Sequence, residues 1–223
     1  MLKGGAQAPL FCLWVIFMKD YKTILAPAED EFEVKKSVFI GHVAPVQTAE
    51  EALEFVAQMK KQYKDATHNC WAYILKDENT KRYSDDGEPQ GTAGIPILDC
   101  LEKSGVRDIC MVVTRYFGGT LLGAGGLVRA YSHGASIALQ AAQVITMCVC
   151  SPVEITLEYN QYGLFENIHP KYQLRIENTE FLEKIKISLI IKEVDREAFC
   201  KEVTEAFYGK VVPQVKDSVF SYL

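Results

Sequence analysis

The sequence predicts an α+β protein of two domains, each an antiparallel sheet backed by helices. Three observations carry this. Short strand-like runs alternate with helical periods; two glycine-rich blocks each stand between a strand-like segment and a helix; and after Pro152 the pattern restarts as strand, helix, strand, strand, helix, strand. With 223 residues the chain can bury a sizeable core, and 48% hydrophobic with 24% charged content is that of an ordinary globular protein.

The elements follow in chain order. Between residues 21 and 46 the runs Glu31-Phe32-Glu33-Val34 and Ser37-Val38-Phe39-Ile40 read as strands of an antiparallel meander. Thr48 and Glu51 have capping-box spacing, and Ala52, Phe55, Val56, Met59 and Tyr63 recur at helical intervals, leaving Glu54, Lys60, Lys61 and Lys64 to solvent. Residues 70–75 form the next strand, and a polar turn at 76–80 leads into Lys81-Arg82-Tyr83. Thr92 is expected to cap a helix through Ile95, Ile97, Leu98 and Leu101, with Pro96 tolerated in its first turn and Gly105 ending it. Residues 109–114 are almost continuously apolar, as in a central strand buried on both faces. A small-residue helix follows over 125–142. Gly134 within it costs roughly 1 kcal/mol relative to alanine, which implies a close contact there.

The domain boundary is placed at residues 146–152, giving domains of 18–145 and 152–223. In the second, strands are expected at 153–159, 172–180, 183–193 and 211–219, and helices at 161–168 and after Asp195. Asp195 would cap the second helix, Phe199, Val203, Ala206 and Phe207 would share its buried face, and Gly209 would close it. That order is the split βαβ of a ferredoxin-like domain.

Charge narrows the function classes. A net charge of -5 and a pI near 5.5 argue against coating nucleic acid through bulk positive charge. The second domain carries nine Lys and Arg against twelve Asp and Glu, and the first fourteen against seventeen, so any nucleic-acid contact must be local. Tyr162, Phe165 and Tyr172 have the residue types that stack bases, but core packing is the expectation for them. Seven cysteines with no C-x-x-C spacing suit a reducing, cytoplasmic setting. The apolar residues 9–18 make about half of the roughly 20 that a membrane span needs. Lys19, Asp20 and Lys22 precede Ala26-Pro27-Ala28 where a leader peptide should be neutral. Translation is expected to begin at Met18, with residues 1–17 as an extension outside the fold.

The first glycine block is Ser84-Asp85-Asp86-Gly87-Glu88-Pro89-Gln90-Gly91-Thr92-Ala93-Gly94, and the second runs from Thr114-Arg115-Tyr116-Phe117-Gly118-Gly119 through Gly123 and Gly126. Neither is a nucleotide fingerprint: no Lys-Ser/Thr follows the last glycine, and Val128 occupies the third position of a G-x-G-x-x-G read from Gly123. Both deliver the chain into a helix N-terminus, where free N–H groups favour an anion, and Arg115 and Arg129 have the side chains to add to it. Alternatively Arg115 pairs with Asp85, Asp86 or Glu88 and ties the loops together. Adjacent carboxylates on a turn diverge, so Asp85, Asp86 and Glu88 read as loop-ordering groups rather than metal ligands. Cys70, after His68 and Asn69, begins an apolar strand and reads as structural, and no zinc spacing is present. Neither metal nor cofactor is expected.

Taken together, Ala66-Thr67-His68-Asn69-Cys70-Trp71-Ala72-Tyr73, Asp85 to Gly94, and Val112 to Arg129 resemble the YigZ/IMPACT family over nearly everything from Met18. The resemblance implies a first domain like ribosomal protein S5 domain 2 and a second like the last domain of elongation factor G. It also implies association with the ribosome, RNA or a translation-associated protein. The kinase-directed role of eukaryotic members rests on an additional RWD domain, which this chain is not expected to contain, so the resemblance does not imply that role here. The expected function is non-enzymatic partner binding by Arg82, Asp85, Asp86, Gly87, Glu88, Gly91, Thr92, Gly94, Arg115, Tyr116, Gly118, Gly119, Gly123 and Arg129, with Arg115 as the anchor. The alternatives are a hydrolase using the acidic cluster and Thr92, and a pure protein-interaction module.

Overall fold

The computed structural model describes residues 19–77 and 79–223, and the expectations for residues 1–17 lie outside them. The chain divides into two compact units, with residues 21–145 in one and 146–223 in the other. In the first, strands β1 (Tyr21–Ile24), β2 (Ala28–Val34) and β3 (Ser37–Pro45) precede helix α1 (Ala49–Gln62). Next come β4 (His68–Ile74), β5 (Lys81–Ser84), α2 (Gly94–Ser104), β6 (Ile109–Tyr116) and α3 (Ala124–Ala141). Five strands form one antiparallel sheet in the order β2-β3-β6-β4-β5.

β6 lies at the centre because its residues from Ile109 to Arg115 are all buried. Alternate side chains of the sheet feed two cores. Phe39, Val43, Cys70, Ala72, Met111 and Val113 face α2 and α3, whereas Tyr73, Cys110 and Val112 face Ala52, Val56 and Met59 of α1. α3 comes very close to β3 where glycines meet: a Cβ on Gly41 would lie 2.3 Å from the Gly134 carbonyl oxygen. This is the close contact expected at Gly134, and burying the helix against the sheet offsets its helix-propensity cost.

The β2–β3 hairpin turns on Lys35 and Lys36, both at positive φ (48° and 66°), between the paired residues Val34 and Ser37. Two left-handed residues match the strand twist in such a two-residue turn. The capping box at Thr48 is half formed: Thr48 Oγ1 accepts from the Glu51 amide at 3.2 Å, but the Glu51 carboxylate reaches back one residue further, to the Gln47 amide at 2.7 Å. Gly105 closes α2 in the left-handed conformation as expected.

The second unit is built from β7 (Val144–Leu157), α4 (Tyr162–Ile168), β8 (Leu174–Phe181), β9 (Ile185–Lys192), α5 (Arg196–Ala206), β10 (Gln214–Val215) and β11 (Val219–Tyr222). Residues 146–152, chosen as the boundary from the sequence, are continuous strand within β7. Among β7 to β11 the order is β8-β9-β7, with β10 and β11 both on the other edge of β7, and these four pairings are antiparallel. The first, second, third and last strands of the repeat thus lie in the order four, one, three, two, as a ferredoxin-like split βαβ requires. The expected single strand over 211–219 is instead β10 and β11, separated by irregular backbone.

Val153, Ile155, Leu157, Ile185, Ile187 and Leu189 point toward Phe165, Phe199 and Val203 of the helices. Phe165 is fully buried and Tyr172 stands edge-on to Phe199 at 5.3 Å, so neither presents a free ring from the sheet. Asp195 occupies the N-cap position of α5 without bonding to it, and its carboxylate accepts from Gln173 N at 3.4 Å. α5 ends at Ala206, with Phe207 as its C-cap two residues before Gly209. There Tyr208 (φ 55°) and Gly209 (φ 73°) reverse the chain, and Gly209 N donates to Thr204 O at 2.8 Å.

Candidate functional site

Both glycine blocks belong to the first unit, and the polar groups of the first are turned inward. Asp85 receives three backbone N–H groups: Gly91 at 2.9 Å on one oxygen, and Ala93 at 3.1 Å and Gly94 at 2.8 Å on the other. The last two are orphan donors at the start of α2, so Asp85 caps the helix from nine residues upstream of its first residue. Thr92, expected to be that cap, instead donates its hydroxyl to Pro89 O at 2.7 Å, and the N-cap position falls on Ala93.

Asp86 accepts from the Asn69 amide at 2.7 Å and pairs with Lys60, while its carbonyl accepts from His68 Nδ1 at 2.8 Å. Asp86, Gly87 and Gly91 all have positive φ (46°, 88° and 78°), the sharp reversals that bring both carboxylates under the loop. Gly94 is held for space: a Cβ would lie 2.9 Å from the Ser84 backbone.

Glu88 and Arg115 form the centre of the site. They are 8% and 5% exposed, and Arg115 Nη1 donates to Glu88 Oε1 at 2.6 Å. Tyr131 of α3 donates its hydroxyl to the same oxygen at 2.8 Å, and His68 Nε2 stands 3.9 Å away. The Arg115 guanidinium also lies over the rings of Phe39 at 5.5 Å and Phe117 at 5.4 Å. Of the two readings left open by the sequence, the pairing one describes Arg115. That pairing leaves Arg115 5% exposed, with Nη1 committed to Glu88 and little of the guanidinium turned outward.

Cys70 donates to the Asp85 carbonyl at 2.9 Å. Burial pushes its thiol well above the ordinary cysteine range, with Tyr131 opposing and Glu88, Asp86 and Asp85 adding to the rise. Burial likewise keeps the Tyr131 hydroxyl protonated, reinforced by Cys70 and Glu88. A thiol held in this way lacks the thiolate character of a nucleophile. Thr92 is engaged with a carbonyl, so among the described residues Thr92 and the acidic cluster do not form a nucleophile and base pair.

The second block is pressed against the β2–β3 hairpin. A Cβ on Gly118 would lie 2.0 Å from the carbonyl of Lys36, and Gly118 N donates to Ser37 Oγ at 3.1 Å. Gly119 and Gly123 turn at positive φ (81° and 71°) with open space beside them. Tyr116 donates to Asp65 at 3.1 Å at the sheet margin, while Arg82 on β5 and Arg129 on α3 are exposed. Phe117 is also exposed, and Leu121 is 81% exposed. The structure therefore separates the predicted residues into an internal lock (Asp85, Asp86, Glu88, Arg115) and an outward surface around the second block. His68 and Tyr131 complete the lock. Sequence reasoning gave Cys70 a structural reading, found no metal-ligand spacing at His68 and did not single out Tyr131, because nothing local in the sequence marks Tyr131 as a partner of Glu88.

Comparison with known proteins covers both units. A profile described as the Impact N-terminal domain matches residues 35–139, and one described as a domain of unknown function, DUF1949, matches residues 155–210. The chain is 37% identical over 207 residues to the IMPACT family member YvyE of Bacillus subtilis, spanning 92% of this chain and 94% of that one. It is 39% identical over 169 residues to YigZ of Escherichia coli, covering 74% of this chain and 82% of the relative. Protein IMPACT of Bos taurus is 36% identical over 93 residues, 40% of this chain and 29% of that protein. A solved structure titled as that of a hypothetical protein superposes with a TM-score of 0.57 at 32% identity, covering 89% of this chain and 97% of the other. With near-full-length relatives of that name and both domain profiles in place, the chain belongs to the IMPACT family.

Proposed function

We propose that this protein is a non-enzymatic binding protein of the translation apparatus, engaging a ribosomal, RNA or protein partner through the surface around the second glycine block. The observation that carries this reading is the division of labour between the loops. The charged groups of the first block are consumed internally, leaving a rigid support. The second block presents exposed Phe117 and Leu121, open backbone at Gly119 and Gly123, and the nearby cations Lys35, Lys36 and Arg129. Apolar groups ringed by unspent positive charge form a recognition surface. The translational direction draws its support from the domain types that the family resemblance implies, which recur in ribosomal and elongation-factor proteins.

The test is capture of the tagged full chain from lysate with and without nuclease, joined to ribosome co-sedimentation at low and high salt. Ribosomes should co-sediment at low salt and be released as salt rises, because exposed cations are screened. Arg129→Glu should reduce the association without changing the melting curve. Absence of any ribosomal, RNA or translation-factor enrichment would overturn the reading.

A further inference from the structure

A cavity of about 300 Å³ opens between the β2–β3 hairpin and α3, beside the second glycine block. Its apolar wall includes Phe32, Val34 and Leu122, and Lys35, Arg129 and His133 stand around it. Among the described residues no carboxylate pairs with Lys35, Lys36 or Arg129. Glu31 and Glu33 of β2 alternate with Phe32 and Val34 and so belong to the opposite face of the strand. The hairpin therefore shows one basic and apolar side and one acidic side. That charge distribution calls for an anionic occupant with an apolar body.

Two properties decide between a nucleotide and a peptide. A base in such a site needs a free aromatic face and hydrogen-bonding groups that read its edge. Phe32 is the aromatic ring in the wall besides His133, and it is already engaged. It stacks on Phe39 at 5.3 Å and 15°, and meets His133 at 4.6 Å and 74°. The hydrogen-bonding side chains there are the cations Lys35 and Arg129 and His133, whose ring is engaged with Phe32; no neutral amide or hydroxyl lines the cavity. An aliphatic side chain requires neither feature, and a space of this volume suits one such anchor.

We infer that this cavity binds an acidic segment of a protein partner, burying one aliphatic side chain against Phe32, Val34 and Leu122 while flanking carboxylates meet Lys35 and Arg129. The inference rests on the partner-binding reading above and names the partner's chemistry. It also makes Arg129, rather than Arg115, the cation that recognises the partner.

The probe is a short fluorescein-labelled peptide of aspartate and glutamate around a single leucine, titrated into the full chain and followed by anisotropy. A serine-centred peptide and an oligouridylate of equal charge serve as comparisons. The leucine peptide should bind saturably, losing about tenfold or more in affinity with serine at the centre and again with Arg129→Glu or Lys35→Glu. Both residues are exposed, so circular dichroism should show unchanged folding. Absence of saturable binding overturns the inference, as does equal binding of the serine peptide. Preferential binding of the oligouridylate, lost on the same substitutions, replaces it with a nucleic-acid site. Peptide binding without ribosome co-sedimentation refutes only the translational reading, and the converse result refutes only this inference.

Discussion

Removing one member of the Glu88–Arg115 pair should be more damaging than removing both. Arg115→Leu leaves a carboxylate buried with Tyr131 still donating to it but no counter-charge, and breaking a buried pair from one side costs about 3–5 kcal/mol. Glu88→Leu strands the guanidinium and also takes the acceptor from the Tyr131 hydroxyl, adding about 1–3 kcal/mol for an unsatisfied buried donor. In the double variant both charges are gone, and the remaining cost is that of the Tyr131 hydroxyl and of repacking, about 1–3 kcal/mol. The double variant is therefore expected to be more stable than either single one, a strongly non-additive cycle. Urea unfolding followed by Trp71 fluorescence, with Trp14→Phe as background, reports on the first unit because Trp71 lies in β4. Single losses of this size consume much of a stability of about 5–15 kcal/mol. Glu88→Gln, which keeps an acceptor for Tyr131, gives a milder reading should the leucine variants not fold. An Arg115→Leu cost below about 1 kcal/mol, or additive losses in the double variant, would refute the lock.

Asp85→Ala should cost at least the ~1 kcal/mol of a lost helix cap and speed hydrogen exchange at Gly91, Ala93 and Gly94 together, as mass spectrometry or NMR can read. Unchanged exchange at all three amides would remove Asp85 as the cap. Gly118→Val places a side chain inside the Lys36 backbone and should destabilise by more than about 2 kcal/mol in a thermal melt, whereas Gly119→Ala meets a positive φ but no neighbour and should cost less. His42, 3% exposed and facing Glu29 and Tyr63, has its pKa lowered by burial, with the Glu29 carboxylate opposing. The unfolded chain binds the proton more readily, so this contribution to stability is present above the unfolded value of about 6.5 and is lost as pH falls below it toward the folded value. Urea midpoints measured from about pH 8 down to pH 5 should fall more steeply for the native chain than for His42→Phe, and parallel profiles would dismiss His42 as the source.

Periodicity made the fold legible. The apolar run at residues 109–114 announced a strand buried on both faces, and the strand-helix rhythm after Pro152 corresponds to the sheet order of the second unit. What escaped was set by distance in sequence. Thr92 had the right chemistry and position for a cap, yet Asp85, delivered by the reversals at Asp86, Gly87 and Gly91, reached the same N–H groups with a stronger acceptor. The direction of Arg115 depended on Glu88 and on Tyr131, sixteen residues further on, in a helix read from the sequence only for its small residues. The single long strand expected near the C-terminus is shorter and broken: Pro213 stands before its start at Gln214, and the polar stretch at Lys216 and Asp217 separates β10 from β11. The lock's residues were visible in the sequence as residues, whereas which of them faced inward was a tertiary fact.

The hairpin tip shows where local preference has been overruled. A two-residue turn with both φ angles positive is the natural place for Asn-Gly, and lysine in that conformation costs on the order of 1 kcal/mol or more at each position. Here the turn is Lys35-Lys36, clasped by Gly118 so tightly that no side chain fits at the point of contact. The chain thus keeps two adjacent like charges on a backbone that disfavours them, and it gives up a close-packed glycine elsewhere to hold them still. Frustration of that kind persists where selection acts on what a segment displays rather than on how well it folds. The strained pair stands at the rim of the partner surface proposed above, which the conspicuous acidic loop does not reach.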